Sequence, residues 1–143
     1  MGYTNYWENL GHKDDATNFL KVVEEAKKLY DNLPEHSESA GGYHSADPLK
    51  LCGWDGTGEP VFTETEISFN GDATLGLDHE SFRVTPNTSK FDFCKTARKP
   101  YDLMVCAVLI SMKKHLVTFS YSSDGNSDDW KPAKAFYKSV IKK

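Results

Sequence analysis

Three kinds of feature are scarce or missing in this sequence, and each absence excludes a class of protein. The chain has three cysteines and no Cys-x-x-Cys pair, so we expect buried, reduced thiols rather than a disulfide framework or a zinc knot. The longest apolar segment, residues 103–112, is shorter than the roughly 20 residues that a membrane-spanning helix needs. No basic region followed by an apolar core opens the chain. We therefore expect no signal peptide and a cytoplasmic protein without membrane contacts.

An excess of positive charge is also missing. The 17 Lys and Arg residues are outnumbered by 21 Asp and Glu residues, for a net charge of −4. Dedicated nucleic-acid-binding proteins are usually basic overall, so nucleic acid is not the expected partner, although a local basic patch is compatible with this balance. The length of 143 residues suffices for one domain with a hydrophobic core, and we expect residues 1–143 to form a single domain.

Sequence signatures of catalysis are missing as well. The five histidines show no metal-ligand spacing, no Gly-x-Ser-x-Gly elbow is present, and neither Cys94 nor Cys106 has an identifiable catalytic partner. We therefore expect a protein that is not an enzyme and that uses no cofactor or metal ion. A metal-dependent nucleotide-processing enzyme built on Asp124 or Glu80 is the alternative with the least support, because no ligand spacing accompanies these carboxylates.

The apolar residues that are present predict an α+β fold. Three- and four-residue spacing predicts an amphipathic helix from about Asp15 to Pro34 and a last helix that begins near Trp130. The segment from Pro100 to about His115 is apolar nearly all round, so it should be the central, most buried helix. Alternating segments predict strands at 3–10, 49–54, 61–69, 79–84, 90–95 and 116–121. We expect a mainly antiparallel sheet with about three helices packed on it.

The segment "FCKTARKPYD", residues 93–102, places Lys95, Arg98 and Lys99 just ahead of the central helix. Positive charge at this position interacts unfavourably with the helix dipole, which costs about 0.3–1 kcal/mol per charge. A helix start also offers unpaired N–H groups that favour an anion. One hypothesis is therefore a phosphate site, formed by the three cations with a hydrogen bond from Thr96.

A second hypothesis explains the same cations without a ligand. Asp92 and Asp102 flank them, and the loop at 123–129, which contains Asp124, Asp128 and Asp129, could fold over them. Acidic side chains of the protein itself would then neutralise the cluster. The sequence shows no P-loop or other phosphate-binding signature that would decide between the two.

Aromatic side chains near these cations would form stacking platforms for bases, at about 1–3 kcal/mol per base. We expect Trp7, Phe82 or Tyr101 to stack on a base, and Asn70 or Asp124 to bond a sugar or a base edge. For each aromatic residue taken alone, packing in the core or at its rim is the alternative.

The chain resembles a family of small proteins encoded by phages and prophages. Typical members open with Gly-Tyr-Thr-His-Tyr-Trp, which "GYTNYW" matches except that Asn5 replaces the histidine. Further matches are "FNG" at 69–71, "ESF" at 80–82, the segment 93–102 with the apolar helix after it, and "SSDG" at 122–125 followed by a tryptophan. Residues 34–48 have no correspondence. Because Asn5 replaces the histidine, the resemblance does not show whether this chain keeps any role that the histidine has in the family.

The resemblance implies a phage origin and a single compact domain, but no activity. Small accessory phage proteins often counter host defence, and some bind the nucleotide signals that defence systems make. The leading hypothesis is accordingly a non-enzymatic binding protein that sequesters a small phosphorylated ligand of the cyclic nucleotide or cyclic ADP-ribose type in the host cytoplasm.

The main alternative to a nucleotide-binding protein is a protein–protein inhibitor of a host defence nuclease or effector. It predicts a continuous acidic face that mimics a nucleic-acid strand; the candidate residues are Glu24, Glu25, Asp31, Glu35 and Glu38. Both hypotheses are compatible with a homo-oligomer.

Overall fold

The computed structural model describes residues 2–36, 47–87 and 90–141. Three α-helices, six short strands and one 3-10 turn follow one another along this part of the chain. In order, they are β1 (Thr4–Asn9), α1 (Asp15–Asp31), β2 (Val61–Thr63), β3 (Glu66–Phe69), the 3-10 turn (Ala73–Leu75), β4 (Phe82–Val84), β5 (Asp92–Lys95), α2 (Asp102–His115), β6 (Phe119–Ser123) and α3 (Ser127–Ile141). The predicted α+β class is confirmed, with three helices in the described residues.

The strands form two antiparallel sheets of three strands each. One has the order β5-β1-β6 and the other the order β2-β3-β4. The predicted sheet is therefore divided in two. In the first sheet the central strand comes from the amino-terminal end of the chain, while both edge strands lie more than 80 positions later. Segments more than 80 positions apart in the sequence thus meet in one sheet.

Helix α2 lies at the centre of the molecule, as its composition predicts. Ten of its residues are buried, and α1 and α3 both pack against it. Its basic residues Lys113, Lys114 and His115 fall in the last turn, where positive charge interacts favourably with the helix dipole. The buried side chains of the helices and of both sheets join in one hydrophobic core.

Two predicted strands differ from the structure. Residues 49–54 contribute a single bridge, Cys52 with Asn70, rather than a strand. Residues 61–69 form a hairpin, since Glu64 and Thr65 reverse the chain between β2 and β3. The hydroxyl of Thr63 accepts a hydrogen bond from the Thr65 N–H, and such short side-chain bonds favour turns over strands.

One residue of the predicted acidic face is not on the surface. Glu25 lies between the three helices and accepts hydrogen bonds from Ser111 (2.8 Å) and Tyr137. Nε2 of His115 lies 3.0 Å from its other carboxylate oxygen. The prediction of a surface role for Glu25 is wrong because α1 turns this side chain toward α2 and α3. Glu38 lies outside the described residues.

The three cysteines are free and buried, as predicted. Burial raises the pKa of the Cys94 and Cys106 thiols, so both are thiols rather than reactive thiolates at neutral pH.

Candidate ligand-binding surface

The turn between β5 and α2 carries the predicted basic cluster. Thr96 and Ala97 donate backbone hydrogen bonds to the Tyr3 carbonyl, which ties the turn to β1. Ala97 and Arg98 have φ angles of 53° and 61°, a left-handed conformation that is uncommon for residues other than glycine. This turn reverses the chain so that α2 enters the core directly after β5.

The first N–H groups of α2 are already hydrogen-bonded within the protein. Asp102 N–H donates to the Lys99 carbonyl (2.9 Å), and Leu103 N–H donates to the Pro100 carbonyl (3.2 Å). An anion bound at this helix start would need those same donors. The helix start therefore does not offer the free N–H groups on which the phosphate hypothesis depends.

The protein's own carboxylate occupies the helix start. Asp102 is almost completely buried, and it accepts hydrogen bonds from Asn5 Nδ2 (2.8 Å) and from the hydroxyl of Thr96 (2.7 Å). Burial raises the pKa of Asp102, although these two hydrogen bonds oppose the rise. The buried Thr96 hydroxyl is committed to this carboxylate.

Two of the three cations of the cluster contact other parts of the protein, and the third, Lys95, is exposed. The guanidinium of Arg98 lies 4.2 Å from the centre of the Tyr3 ring and 3.7 Å from the Asp129 carboxylate. Lys99 Nζ donates to the Gly76 carbonyl (2.9 Å). Lys95 is exposed at the end of β5 and forms no ion pair with any residue that the structure describes. Loop 123–129 does fold toward the cluster, through Asp129, as the second hypothesis expects.

Four other predicted site residues are buried in the protein. Trp7 and Phe82 pack against each other in the core, with ring centres 5.2 Å apart. The Tyr101 hydroxyl donates to the Glu80 carbonyl. The Asn70 side chain donates hydrogen bonds to the His79 carbonyl and to the Ser81 hydroxyl, and these bonds fix the segment 71–81. Stacking on Trp7, Phe82 or Tyr101 would require the core to open, so we leave these residues out of the site proposed below.

Asp124 remains near the surface and connects β1 to the loop after β6. One carboxylate oxygen accepts the Thr4 N–H, and the other accepts the Tyr6 hydroxyl (3.0 Å each). The hydrogen bond to Asp124 raises the pKa of Tyr6, because the phenol must keep its proton to donate to the carboxylate. Asp124 thereby fixes the Tyr6 ring.

The strand register places a group of aromatic residues on one face of the first sheet. Tyr6 lies opposite Phe93 of β5 and Ser122 of β6, and residues directly opposite share a face. Side chains two positions apart along a strand also share a face, which adds Lys95 next to Phe93. We call this surface the outer face; its members are Tyr6, Glu8, Phe91, Phe93, Lys95, Ser120 and Ser122.

Three rings of the outer face contact one another. Tyr6 stacks on Phe91 with ring centres 5.9 Å apart, and Phe93 lies 6.5 Å from Tyr6 and 6.3 Å from Phe91. Phe91 is 59% exposed and Phe93 is 50% exposed. We call these three residues the aromatic cluster. Exposed phenylalanines in mutual contact form an apolar surface patch. Such a patch is in contact with water in the free protein and would be covered by a bound ligand.

Our sequence analysis assigned no residue of the aromatic cluster to the site, and it did not consider Phe91 and Phe93. The alternation in "KFDFCK" separates them from the buried Cys94, so the sequence did place them on the face opposite that thiol. It did not reveal which face of the strand is buried. That was decided by packing, because the Cys94 side of the strand belongs to the hydrophobic core that also contains α2.

A cleft of about 200 Å³ lies between β6 and the start of α3. We call it the β6–α3 cleft. Tyr121 and Ser122 border both this cleft and a smaller depression on the outer face next to Tyr6 and Phe91. The residues that line the cleft are Tyr121, Ser122, Ser123, Gly125, Asn126, Ser127, Trp130 and Lys134.

Within the described residues, no group of three or more His, Cys, Asp or Glu side chains is arranged to hold a metal ion. None of the helices in the described part of the chain has both the length and the hydrophobicity needed to cross a membrane. Comparisons of the chain with models of protein families, with curated proteins and with solved structures find no match.

Proposed function

We propose that this protein is a non-enzymatic binding protein that sequesters a small phosphorylated ligand of the cyclic nucleotide or cyclic ADP-ribose type. The observation that carries the proposal is the aromatic cluster, with Lys95 beside Phe93 on the same face. Aromatic faces stack on any base, and a lysine that forms no ion pair within the described residues is suited to a phosphate. By its resemblance to phage proteins, we infer that the chain acts against host defence in the host cytoplasm.

The proposal assigns each residue of the outer face a role in binding. Phe91 and Phe93 stack on a base, while Tyr6, fixed by Asp124, closes one side of the platform. Lys95 binds phosphate oxygens. Arg98 and Lys99, which already contact Asp129 and Gly76, add positive potential rather than direct contacts.

The first test asks whether the purified protein carries or binds such a ligand. The protein is heat-denatured, the supernatant is analysed by mass spectrometry, and its melting temperature is measured with cyclic and ADP-ribose-type nucleotides. A ligand at one hundred times its dissociation constant stabilises the fold by about 2.7 kcal/mol, which is a measurable shift. An unmodified nucleotide in the supernatant, or such a shift, supports a binding protein.

Variants then locate the site. Phe93→Ala and Lys95→Gln should each reduce the ligand-induced shift strongly while leaving the melting temperature of the free protein nearly unchanged, because both side chains are exposed. Trp54→Ala is the matched control, since Trp54 is an exposed aromatic residue that is not part of the outer face. Equal loss of the shift in all three variants, or a flat screen with no released nucleotide, contradicts the proposal.

A protein–protein inhibitor is the second candidate, and the same aromatic cluster favours it. Aromatic residues are enriched in the centre of protein interfaces, and Phe91 and Phe93 are exposed enough to enter a partner's pocket. This candidate predicts that a host defence protein co-purifies with the chain and is lost in Phe93→Ala, with no nucleotide released.

A further inference from the structure

Strand β6 forms an open edge of the first sheet. Among the described residues it pairs only with β1, and this pairing is antiparallel. The Asp124 N–H donates to the carbonyl of Thr4, which lies directly opposite, so every second residue of β6 from that point is hydrogen-bonded to β1. The residues between them direct their backbone N–H and C=O groups away from β1; these residues are Phe119, Tyr121 and Ser123.

The other edge of the same sheet, β5, is covered by the protein's own polar groups. Lys95 donates its backbone N–H to Glu80 Oε1 (2.8 Å), and its carbonyl accepts the Glu80 N–H (3.2 Å). The Phe93 N–H donates to Asp92 Oδ1 (2.7 Å). Groups that cap an edge in this way keep it from pairing with another strand. No group in the described part of the chain caps the Tyr121 backbone in the same manner, so β6 remains available.

The sequence of β6 suits pairing with the β6 of a second copy. Its five residues are uncharged, and Tyr121 has a serine on each side. An antiparallel pair centred on Tyr121 is the register that pairs all five residues of both strands. Because the Tyr121 backbone faces the open edge, the two Tyr121 residues can exchange both of their backbone hydrogen bonds, and Ser120 of each copy then lies opposite Ser122 of the other.

The charges at the two ends of β6 are complementary in this register. Lys113 is exposed at one end, where its Nζ lies 3.4 Å from the Phe119 carbonyl. Asp124 is exposed and follows Ser123 at the other end. Antiparallel pairing brings Phe119 of each copy opposite Ser123 of the other, so each Lys113 lies at the same end of the pair as Asp124 of the other copy. The Phe119 carbonyl can accept a second hydrogen bond, because it has two lone pairs.

The β6–α3 cleft leaves space beside this edge. Its wall on the side of the sheet is formed by residues 121–123. Val117 is 59% exposed and lies two residues before β6, so in this register it approaches Gly125 of the second copy, which also lines the cleft. Contact with the second copy would therefore remove this valine from water and add an apolar contribution to the backbone hydrogen bonds.

We propose that two copies of this protein form a symmetric dimer by antiparallel pairing of their β6 strands about Tyr121. The pairing joins the two sheets into one sheet with the strand order β5-β1-β6-β6-β1-β5. It uses the open edges of both copies and leaves only the covered β5 edges, so the assembly closes at two copies. The inference goes beyond the proposed function, because it concerns a sheet edge and requires no nucleotide. The outer faces of both copies lie on the same side of the joined sheet.

Sedimentation velocity of the purified protein without nucleotide tests the dimer. One pair of short strands buries less surface than the interfaces of stable dimers, so we expect a reversible equilibrium as the protein concentration rises from about 1 to about 300 µM. The mass should approach twice that of one chain and stop there. A monomer at every concentration, or growth beyond the dimer, overturns the inference.

Two double variants test the register, and they differ only at position 122. Ser120→Lys with Ser122→Lys places lysines opposite each other and should weaken dimerisation about tenfold or more. Ser120→Lys with Ser122→Glu places a lysine opposite a glutamate at both symmetric positions and should stay within about threefold of the unsubstituted protein. Both serines are exposed, so both variants should keep its melting temperature. Equal dimerisation of the two variants overturns the pairing through β6.

The outer-face variant Phe93→Ala separates this inference from the proposed function. It should leave the equilibrium between monomer and dimer unchanged, whatever it does to nucleotide binding, because Phe93 belongs to β5. Loss of the dimer in Phe93→Ala would place the contact between copies on the outer face and would overturn the assignment to β6.

Discussion

At the scale of single residues, Asn5 connects the basic turn to the loop after β6. Its Nδ2 donates to Asp102, and its Oδ1 accepts from the Ser123 hydroxyl (2.7 Å). Ser123 in turn accepts the Gly125 N–H. One fully buried side chain therefore fixes both the start of α2 and one wall of the β6–α3 cleft.

We predict that Asn5→Ala destabilises the protein by about 2 kcal/mol or more. The substitution removes one hydrogen bond to the buried Asp102 carboxylate, which keeps the one from Thr96, and the bond from the Ser123 hydroxyl. A hydrogen bond to a charged group contributes about 1.5–3 kcal/mol and one between uncharged groups about 0.5–1.5 kcal/mol. Chemical denaturation measures the change, and Asn87→Ala, an exposed asparagine, should stay within about 0.5 kcal/mol of the starting protein. Equal effects of the two substitutions would contradict the structural role of Asn5.

Asn5→His tests whether a side chain with one donor and one acceptor nitrogen can replace Asn5 at this buried position. A histidine ring has one nitrogen that can donate to Asp102 and another that can accept from Ser123. We therefore expect Asn5→His to lose less stability than Asn5→Ala in the same denaturation experiment. A greater loss than in Asn5→Ala would mean that the ring does not fit this buried space.

At the scale of elements, α2 is the helix on which the rest of the fold packs. Leu109 is fully buried in it, so Leu109→Ala should cost about 2–5 kcal/mol through lost burial and the cavity left behind. Leu20 of α1 is 44% exposed, and Leu20→Ala should cost less than about 1 kcal/mol. Denaturation of both variants checks the prediction, which fails if their losses are equal.

At the scale of the whole molecule, Glu25 joins all three helices and makes stability depend on pH. Burial by itself would raise the pKa of Glu25, but the hydrogen bond from Tyr137, the nearby His115 imidazole and the hydrogen bond from Ser111 lower it below its ordinary value. A carboxyl group with a lowered pKa stabilises the fold at pH values above its ordinary pKa of about 4.3. That contribution is lost as the pH falls through the lowered pKa.

We predict that Glu25→Gln is destabilised relative to the unsubstituted protein at pH 7 and that the difference shrinks as the pH is lowered below about 4.3. The free energies of unfolding of the two proteins are compared at each pH, because the pH dependence of either protein alone also includes Asp102. Burial raises the pKa of Asp102, so its contribution to stability changes with pH in the opposite direction. Denaturation midpoints at several pH values from 3 to 7 measure the difference. A difference that is independent of pH would rule out this role for Glu25.

The sequence by itself determined the class of fold and the positions of the three helices. Periodicity and an all-round apolar composition are local properties, and they are sufficient for α1, α2 and α3. The short strands were predicted less well, because a three-residue strand such as β2 exists only through the neighbour that it pairs with. The division into two sheets likewise depends on pairing between distant segments.

Only the tertiary structure decided which polar and aromatic residues reach the surface. The cations at 95–99 were visible in the sequence, but Asp129 and Gly76, the partners of Arg98 and Lys99, come from segments distant along the chain. The aromatic cluster and the β6–α3 cleft likewise form where β1, β5, β6 and α3 meet. Residue types and local spacing are fixed by the sequence, whereas the direction in which each strand face points is fixed by what packs against it.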